Sequence, residues 1–410
     1  MFFSSQVPSN PRFQEETFEI INHQNLSQDF ENVDFQGVHW LDLTNKTRSS
    51  YRALRNNQYR PYLSDNQFKK LIKFPVKWKL AKIHGGFYKF LNFYKNLNPI
   101  IGHFQLRYNL CAASYHDLYF LNQGFVVHYC TIRKATRKFA IPEGITPCCL
   151  SIFEDFFTIG DLEGKLFIYD IRRDKSIFAG YFLENQEAHI VNCVKLFSED
   201  NGKTPRILTA SNDAKIRVLD LENPLVPIFQ ISRSNPINHI AFSNIHKLLA
   251  SYSDQKEAEI LDFNTGKLVM SLEGHQDYGF CLDWHPNGNY LATGNQDTTS
   301  RIWDIRNPKE SVHILQGEIG AIYTVKYSND GKFLATGEAI DFVNIYNCKK
   351  DYCNYQQIDY FGETVGIEFN PEDSKKLFIA VNIRDFDGIF EFQERKKQEN
   401  EKFQLKNSFL

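Results

Sequence analysis

The amino-acid sequence predicts an all-β protein in which one small antiparallel sheet is repeated seven times. Within residues 87–392, short apolar runs alternate with turn residues. A large apolar residue ends the third strand of each copy at intervals of 40 to 50 residues; these residues are Tyr129, Tyr169, Leu219, Leu261, Trp303, Tyr346 and Phe390. The chain is also 42% hydrophobic, which is enough for a full core. Because one such sheet cannot bury both of its faces, the copies are expected to stack around an axis as a seven-bladed β-propeller.

Two segments of opposite charge precede the predicted ring. Residues 1–43 carry seven acidic residues and one arginine, and we expect this segment to be partly disordered. Residues 44–86 are predicted to form a basic, aromatic strap with one short helix between Ser49 and Tyr62, which Pro61 ends. The sequence therefore predicts an irregular N-terminal extension that contains one short helix.

The ring itself is predicted to span residues 87–392. Residues 87–98, rich in aromatic side chains and placed just before the first copy, are the candidate closing strand of the last blade. Residues 393–410 are highly charged and are predicted to be a frayed tail.

The clearest copy lies between Glu273 and Ile305. Its strands are predicted at Tyr278–Trp284, Tyr290–Gly294 and Ser300–Ile305, and an Asn-Gly turn separates the first two. The string GHQDYGFCLDWHPNGNYLATGNQDTTSRIWDI resembles a WD40 repeat, and the copies around it match more weakly. Residues 273–392, together with FQGVHW, YRALRNNQY and HFQLRYNLCAASYHDLYFL, also resemble a group of plant and fungal transducin/WD40 proteins.

This resemblance implies a structural tetrad in the clearest copy. In the family, a His, a Ser or Thr, an Asp and a Trp form a hydrogen-bonded set, and the matching residues are His275, Thr293, Asp297 and Trp303. The alternative, half of a catalytic triad built on His275 and Asp297, lacks a nucleophile.

The sequence contains no phosphate loop, no metal-ligand spacing and no nucleophile–base pair. We therefore predict a non-catalytic scaffold for other proteins, with no cofactor, metal or small-molecule substrate. Such rings usually bind partners at the starts of the first strands and at the turns after the second strands. The candidate partner-binding residues are Asp277, Tyr278, Gln296, Ile190, Ala321 and Ile322.

A first alternative is a substrate receptor of a cullin-RING ubiquitin ligase. The strings IWDIR and IYDIR resemble the WDxR box of such receptors, in which an arginine beyond the third strand meets an adaptor protein. The candidate adaptor box consists of Asp304 with Arg306 and of Asp170 with Arg172.

A second alternative is an RNA-associated complex subunit. Residues 44–95 contain thirteen Lys or Arg residues and one acid, Asp65, so arginines there could bind phosphates while rings stack on bases. The candidate basic surface is Arg48, Arg52, Arg55 and Arg60. The competing interpretation is that the strap packs on an acidic propeller and pairs its bases with acids. The net charge of −2 excludes only a uniformly basic binder.

Cytoplasm or nucleus is the expected location. No apolar run approaches the roughly 20 residues of a membrane helix, and the start of the sequence lacks the pattern of a secretory signal. The eight cysteines include no CxxC pair, which favours free thiols over a zinc site or a disulfide framework. We expect no membrane partner.

Overall fold

The computed structural model describes residues 20–22, 36, 38, 40, 45–58, 82–83, 86–182, 189–199, 205–383 and 385–396. Outside the ring lie strand β1 (Ile20–Asn22), helix α1 (Arg48–Gln58) and strand β2 (Lys82–Ile83). None of the helices in these ranges is long and apolar enough to cross a membrane.

Seven antiparallel blades form the described ring. Blade one contains β4 (Leu110–Ala112), β5 (Asp117–Asn122), β6 (Phe125–Cys130) and β7 (Ala135–Ala140). Blade two contains β8 (Pro147–Phe153), β9 (Phe156–Asp161), β10 (Lys165–Asp170) and β11 (Lys175–Tyr181). Blade three contains β12 (Cys193–Ser198), β13 (Pro205–Ala210), β14 (Lys215–Asp220) and β15 (Phe229–Ser232). Blade four contains β16 (Ile237–Ser243), β17 (Leu248–Ser253), β18 (Ala258–Asp262) and β19 (Leu268–Leu272). Blade five contains β20 (Gly279–Trp284), β21 (Tyr290–Asn295), β22 (Thr299–Asp304) and β23 (His313–Gln316).

Blades six and seven share one long strand. Blade six contains β24 (Ile322–Tyr327), β25 (Phe333–Glu338), β26 (Ile340–Asn347), a short 3-10 helix (Cys348–Lys350) and the first half of β27 (Asn354–Phe369). Blade seven contains the second half of β27, then β28 (Lys376–Asn382), β29 (Gly388–Glu394) and β3 (Tyr88–Lys95). The all-β, seven-bladed fold expected from the sequence is confirmed.

Strand β3 joins the two ends of the ring. It pairs antiparallel with β29, from Tyr88 opposite Glu394 to Lys95 opposite Gly388. Phe93 is fully buried and stacks on Phe390, with 4.4 Å between ring centroids. Strand β1 pairs with the other edge of β3, so the last blade has an additional outer strand.

The turn chemistry explains why the blades have regular hairpins. Between β20 and β21, Gly288 adopts a φ of 72°, a left-handed conformation that costs glycine little. Its N–H donates to the C=O of His285 at 2.8 Å. Gly279 permits close packing of blade five on blade four, because a Cβ there would lie 2.1 Å from the Tyr252 ring.

Each blade runs from the centre of the ring to its rim, so the ring has two faces. We name the end at which the innermost strands begin the upper face, and the other end the lower face. The loop before β20 and the β21–β22 turn therefore lie on the upper face, whereas the β20–β21 turn and the residues after β22 lie on the lower face.

Helix α1 packs on the upper face of blades six and seven. Trp40 is fully buried, and its ring meets Phe361 at 5.2 Å and Tyr51 of α1 at 4.9 Å. Upstream of the helix, Gln36 donates its side-chain amide to the C=O of Phe361 at 2.9 Å. The described part of the N-terminal extension thus lies against the propeller.

Candidate partner-binding face

Four side chains of blade five form a buried hydrogen-bonded set. His275 precedes β20, Thr293 lies on β21, Asp297 lies in the following turn and Trp303 lies on β22. His275 Nδ1 is 2.8 Å from Asp297 Oδ2, and His275 Nε2 is 2.8 Å from Thr293 Oγ1. Trp303 Nε1 donates to the same Thr293 oxygen at 2.9 Å. The structure therefore brings together the four residues of the predicted tetrad.

The donor chemistry of the tetrad assigns its protons. The indole N–H can only donate, so the Thr293 oxygen accepts from Trp303 and its hydroxyl proton points to His275 Nε2. Nδ1 then carries the ring proton and donates it to Asp297. Burial lowers the pKa of His275, which keeps the imidazole neutral near pH 7.

The Asp297 carboxylate is anchored on both of its oxygens. Burial alone would raise the pKa of Asp297, but His275 together with hydrogen bonds from Thr299 and the Gln276 amide outweighs it, and the pKa is about 2. The Thr299 hydroxyl donates at 2.6 Å and the Gln276 N–H at 3.0 Å. All four tetrad side chains are buried, so the tetrad ties the upper end of the blade together and offers no group to a substrate.

Tyr278 is an exposed aromatic side chain on a backbone that is held in place. Its side chain is 49% exposed. Its N–H donates to Asp277 Oδ1 at 2.8 Å, and its C=O accepts from the Gln296 N–H at 3.0 Å. Asn295 donates to the C=O of Asp277 at 2.7 Å. The structure therefore brings Asp277, Tyr278 and Gln296 together on the upper face.

The other predicted partner-binding residues are less accessible. Ile190 and Ala321 are half-buried, and their carbonyl groups accept backbone hydrogen bonds from Asn212 and Ala339. Ile322 is only 1% exposed, so the prediction that it contacts a partner is wrong. As the first residue of β24, it turns its side chain into the contact between blades five and six, where it touches the Gly294 position.

The loop before β4 crosses the centre of the upper face. Residues 102–105 are bends rather than strand, and Phe104 there is 70% exposed. Nearby, Arg107 donates to Glu363 at 3.2 Å, and its C=O accepts from Thr324 Oγ1 at 3.0 Å. The local sequence indicates only a segment that precedes strand β4, so the position of this loop on the ring is visible only from its long-range contacts.

The two candidate adaptor boxes lie on the lower face. Arg306 is 59% exposed in its side chain and forms a double hydrogen bond to Asp304, with Nε–Oδ1 at 2.8 Å and Nη2–Oδ2 at 2.7 Å. Asp170 is buried, and its described ion pair at 3.6 Å is with Arg173. Arg172 is exposed. Both boxes therefore face away from Tyr278.

The candidate basic surface is largely occupied by the propeller. Arg52 and Arg55 donate to the buried carboxylate of Asp341 at 2.8 and 3.0 Å, and Arg52 also donates to Asp359. Arg48 lies 3.4 Å from Asp359. These three guanidinium groups are engaged with carboxylates rather than presented to phosphates. Arg60 lies outside the described residues.

Within the described ranges, no group of three or more His, Cys, Asp or Glu side chains is arranged to hold a metal ion. All eight cysteines are free thiols.

Comparison with known proteins places the chain among repeat proteins. The model of the WD domain, G-beta repeat, matches residues 266–304 and 309–342. Protein groucho of Drosophila melanogaster is 26% identical over 40% of this chain and 22% of its own length. Human WD repeat and SOCS box-containing protein 1 is 28% identical over 27% of this chain and 26% of its own length. The matched region thus spans about a quarter of the length of these relatives.

A solved structure agrees with the fold. A chain in the crystal structure of a mitotic checkpoint complex superposes with a TM-score of 0.63 at 14% identity, and the superposition covers 78% of this chain and 98% of that one. At this identity the likeness concerns the fold alone. The plant and fungal grouping stays a prediction.

Proposed function

The chain belongs to the WD40-repeat propeller family, and from that premise we propose that it is a non-catalytic scaffold that binds other proteins through its upper face. One observation carries the proposal: the Tyr278 ring is half exposed although hydrogen bonds on both sides hold its backbone. A pre-ordered aromatic residue contributes contact area and a hydroxyl group at little cost in conformational entropy, which is typical of residues that dominate binding.

Phe104 supports the same face. Its exposed ring lies on the loop that crosses the centre of the ring, beside Arg107, whose guanidinium is 5.2 Å from the Tyr323 ring centroid. Exposed aromatic side chains on one face of a rigid scaffold are the kind of anchor around which protein interfaces form. A partner that covers blade five and the central loop would bury both rings.

Two further properties belong to this proposal. The non-catalytic role is supported by the burial of His275 and Asp297, the one His–Asp pair for which the sequence suggested chemistry. A cytoplasmic or nuclear location is supported by the eight free thiols, since disulfides are rare in those reducing compartments.

The test is quantitative affinity purification of the intact protein. Recovered partners are compared by mass spectrometry among the unmodified chain, the double variant Tyr278→Ala/Phe104→Ala and the control Ile245→Ala. Ile245 is also exposed but lies in the β16–β17 turn on the lower face. We expect the double variant to lose its main partners and the control to keep them. Equal recovery from both variants would refute the upper-face proposal.

A second candidate, the substrate receptor of a ubiquitin ligase, is supported by the exposure of Arg306 and Arg172 on the lower face. One relative carries a SOCS box in its name, but the shared region covers only about a quarter of each chain.

This candidate predicts a different pattern of loss. Arg306→Ala combined with Arg172→Ala should remove adaptor proteins from the purified complex while upper-face partners remain. Lys309→Ala, an exposed cation close to Arg306 in sequence, is the control. Adaptor recovery that the double variant leaves unchanged, or an absence of adaptors from the unmodified complex, rules the receptor role out.

An RNA-associated role has weaker support, because Arg48, Arg52 and Arg55 are engaged with Asp341 and Asp359. Two results would support this role: retention of the protein on RNA that falls with rising salt, and loss of that retention on charge reversal at Arg52, Arg55 and Arg60.

A further inference from the structure

The innermost strands surround a central cavity of about 220 Å³. Tyr108 closes it toward the upper face: its hydroxyl donates to the C=O of Phe280, and its ring stacks on His239 with 4.2 Å between centroids. The lining continues along the inner strands toward the lower face, to residues such as Lys326 and Glu368. Tyr108 therefore covers the upper end of this central channel.

Two donors in this cavity lack an acceptor within the described residues. His239 is 4% exposed, and its Nδ1 accepts from the Leu282 N–H at 3.2 Å, so Nε2 carries the proton. Nε2 has no hydrogen-bond partner in the described part of the chain. Lys195 Nζ lies 5.6 Å from the Tyr108 ring centroid and forms no ion pair with a described carboxylate. A buried donor without an acceptor is costly, so this wall suits a ligand that supplies acceptor atoms.

The same cavity also contains acceptors. Asp283 Oδ2 accepts from the Tyr327 N–H at 2.7 Å, and the Trp284 backbone also hydrogen-bonds to this carboxylate. Glu368 pairs with Lys326 at 2.9 Å through one of its oxygens. Lys195 and Lys326 thus balance Asp283 and Glu368 in formal charge, and Arg107, the other charged residue of the lining, pairs with Glu363. A ligand with a net charge would disturb this balance in a site where charge is poorly solvated.

We propose that the central channel binds a small zwitterion of the α-amino acid class, with its carboxylate toward Lys195 and His239 and its ammonium group toward Asp283 and Glu368. Such a molecule supplies acceptors to His239 and Lys195, brings its ammonium group to the two carboxylates and adds no net charge. The size also agrees, because about 220 Å³ lies below the roughly 300–1,000 Å³ of sites for drug-sized ligands.

The test is isothermal titration calorimetry, in which the heat of binding is measured as each of the twenty common α-amino acids is added to the intact protein. For every amino acid that binds, the matching amine without the carboxylate and the acid without the amino group are titrated as well. We expect at least one amino acid to bind with one-to-one stoichiometry, and both analogues to bind about tenfold more weakly or worse, since each leaves a charged partner unpaired.

Three variants locate the binding. Lys195→Met removes the ammonium group but keeps the apolar stem, and it should weaken binding by about tenfold or more. Ala112→Leu fills the cavity without changing its charges and should abolish binding, so the proposal remains testable if Lys195→Met folds poorly. Lys309→Met, outside the cavity, should bind like the unmodified protein. No binding by any of the twenty amino acids, equal binding of the analogues, or binding that both cavity variants leave unchanged would each overturn the proposal.

Discussion

Thr293 joins two buried polar groups of blade five through a single hydroxyl. It accepts from the Trp303 indole and reaches the imidazole of His275 at 2.8 Å. At the scale of single residues, the stability of this blade therefore depends on buried polar groups that cannot form a replacement hydrogen bond with water when a partner is removed.

Thr293→Val should accordingly destabilise the protein. Valine retains the shape but leaves the indole N–H and His275 Nε2 without their partner, which costs about 1–3 kcal/mol for each buried group. Urea unfolding followed by tryptophan fluorescence measures the loss. Thr146→Val, at an exposed threonine, should change the unfolding free energy by less than about 0.5 kcal/mol. Equal stability of the two variants would contradict the tetrad.

The tetrad also gives stability a dependence on pH. The pKa of Asp297 is lowered to about 2 in the folded protein, below that of an unfolded Asp. Its contribution is therefore fully present above about pH 4 and is lost as the pH falls toward 2. A shift of this size corresponds to about 2 kcal/mol. Unfolding free energies measured from pH 5 to pH 3 should fall more steeply for the unmodified protein than for Asp297→Asn; parallel slopes would contradict the low pKa.

Residues were predictable from the sequence where a local motif places them. His275, Thr293, Asp297 and Trp303 lie within one repeat, and the resemblance of that repeat to the WD40 pattern implies that they meet. Ile322 was misassigned because accessibility at the start of an inner strand depends on the neighbouring blade. Its side chain fills space beside Gly294, a contact between blades that the repeat itself does not encode.

Strand β3 is the element that closes the ring. It is the fourth strand of blade seven, between β29 and the short outer strand β1, and its Phe93 ring is fully buried. The rings of Phe93 and Phe390 stack on each other although the two residues are almost 300 positions apart in the chain.

Phe93→Ala should therefore weaken the closure. Truncating a buried phenylalanine costs about 3–5 kcal/mol, and a loosened β3 exposes the edge of β29 to other chains. We expect a lower urea midpoint and, on mild warming, faster growth of light scattering. The comparison is Phe125→Ala, whose ring is 36% exposed on blade one. Identical scattering from the two variants would show that the ring stays closed without Phe93.

Helix α1 is held to blades six and seven by charge as well as by aromatic packing. Asp341 is fully buried, so loss of its arginine partners would leave a buried carboxylate unpaired. Arg52→Glu should release the helix and speed cleavage of the extension by chymotrypsin about tenfold or more. Asn57→Glu, an exposed position on the same helix, should leave the rate nearly unchanged. Equal rates would mean that the arginine contacts do not hold α1.

At the element scale, the positions of strands and helices along the chain were easier to predict than the contacts between distant elements. Alternation and turn residues locate β20 to β22, and Pro61 predicts the end of α1, which the structure places at Gln58. The docking site of α1 was not predictable, because Arg52 and Asp341 are almost 300 residues apart and nothing local links them.

At the scale of the whole molecule, three features of the described residues lie on the upper face. Helix α1 covers blades six and seven, the loop with Phe104 and Tyr108 crosses the centre, and the upper end of blade five presents Tyr278 to solvent. The lower face carries Arg306 and Arg172 instead. A ring of this kind can hold different partners on its two faces, and we propose that the main partner binds the open part of the upper face.

The most direct measurement is hydrogen–deuterium exchange on the intact protein, alone and in complex with its main co-purified partner. We expect slower exchange in the complex for peptides that cover residues 276–280 and 295–298, with little change in the lower-face turns at 244–246 and 286–289. Protection confined to the lower-face turns, with the Tyr278 region unchanged, would contradict the central claim.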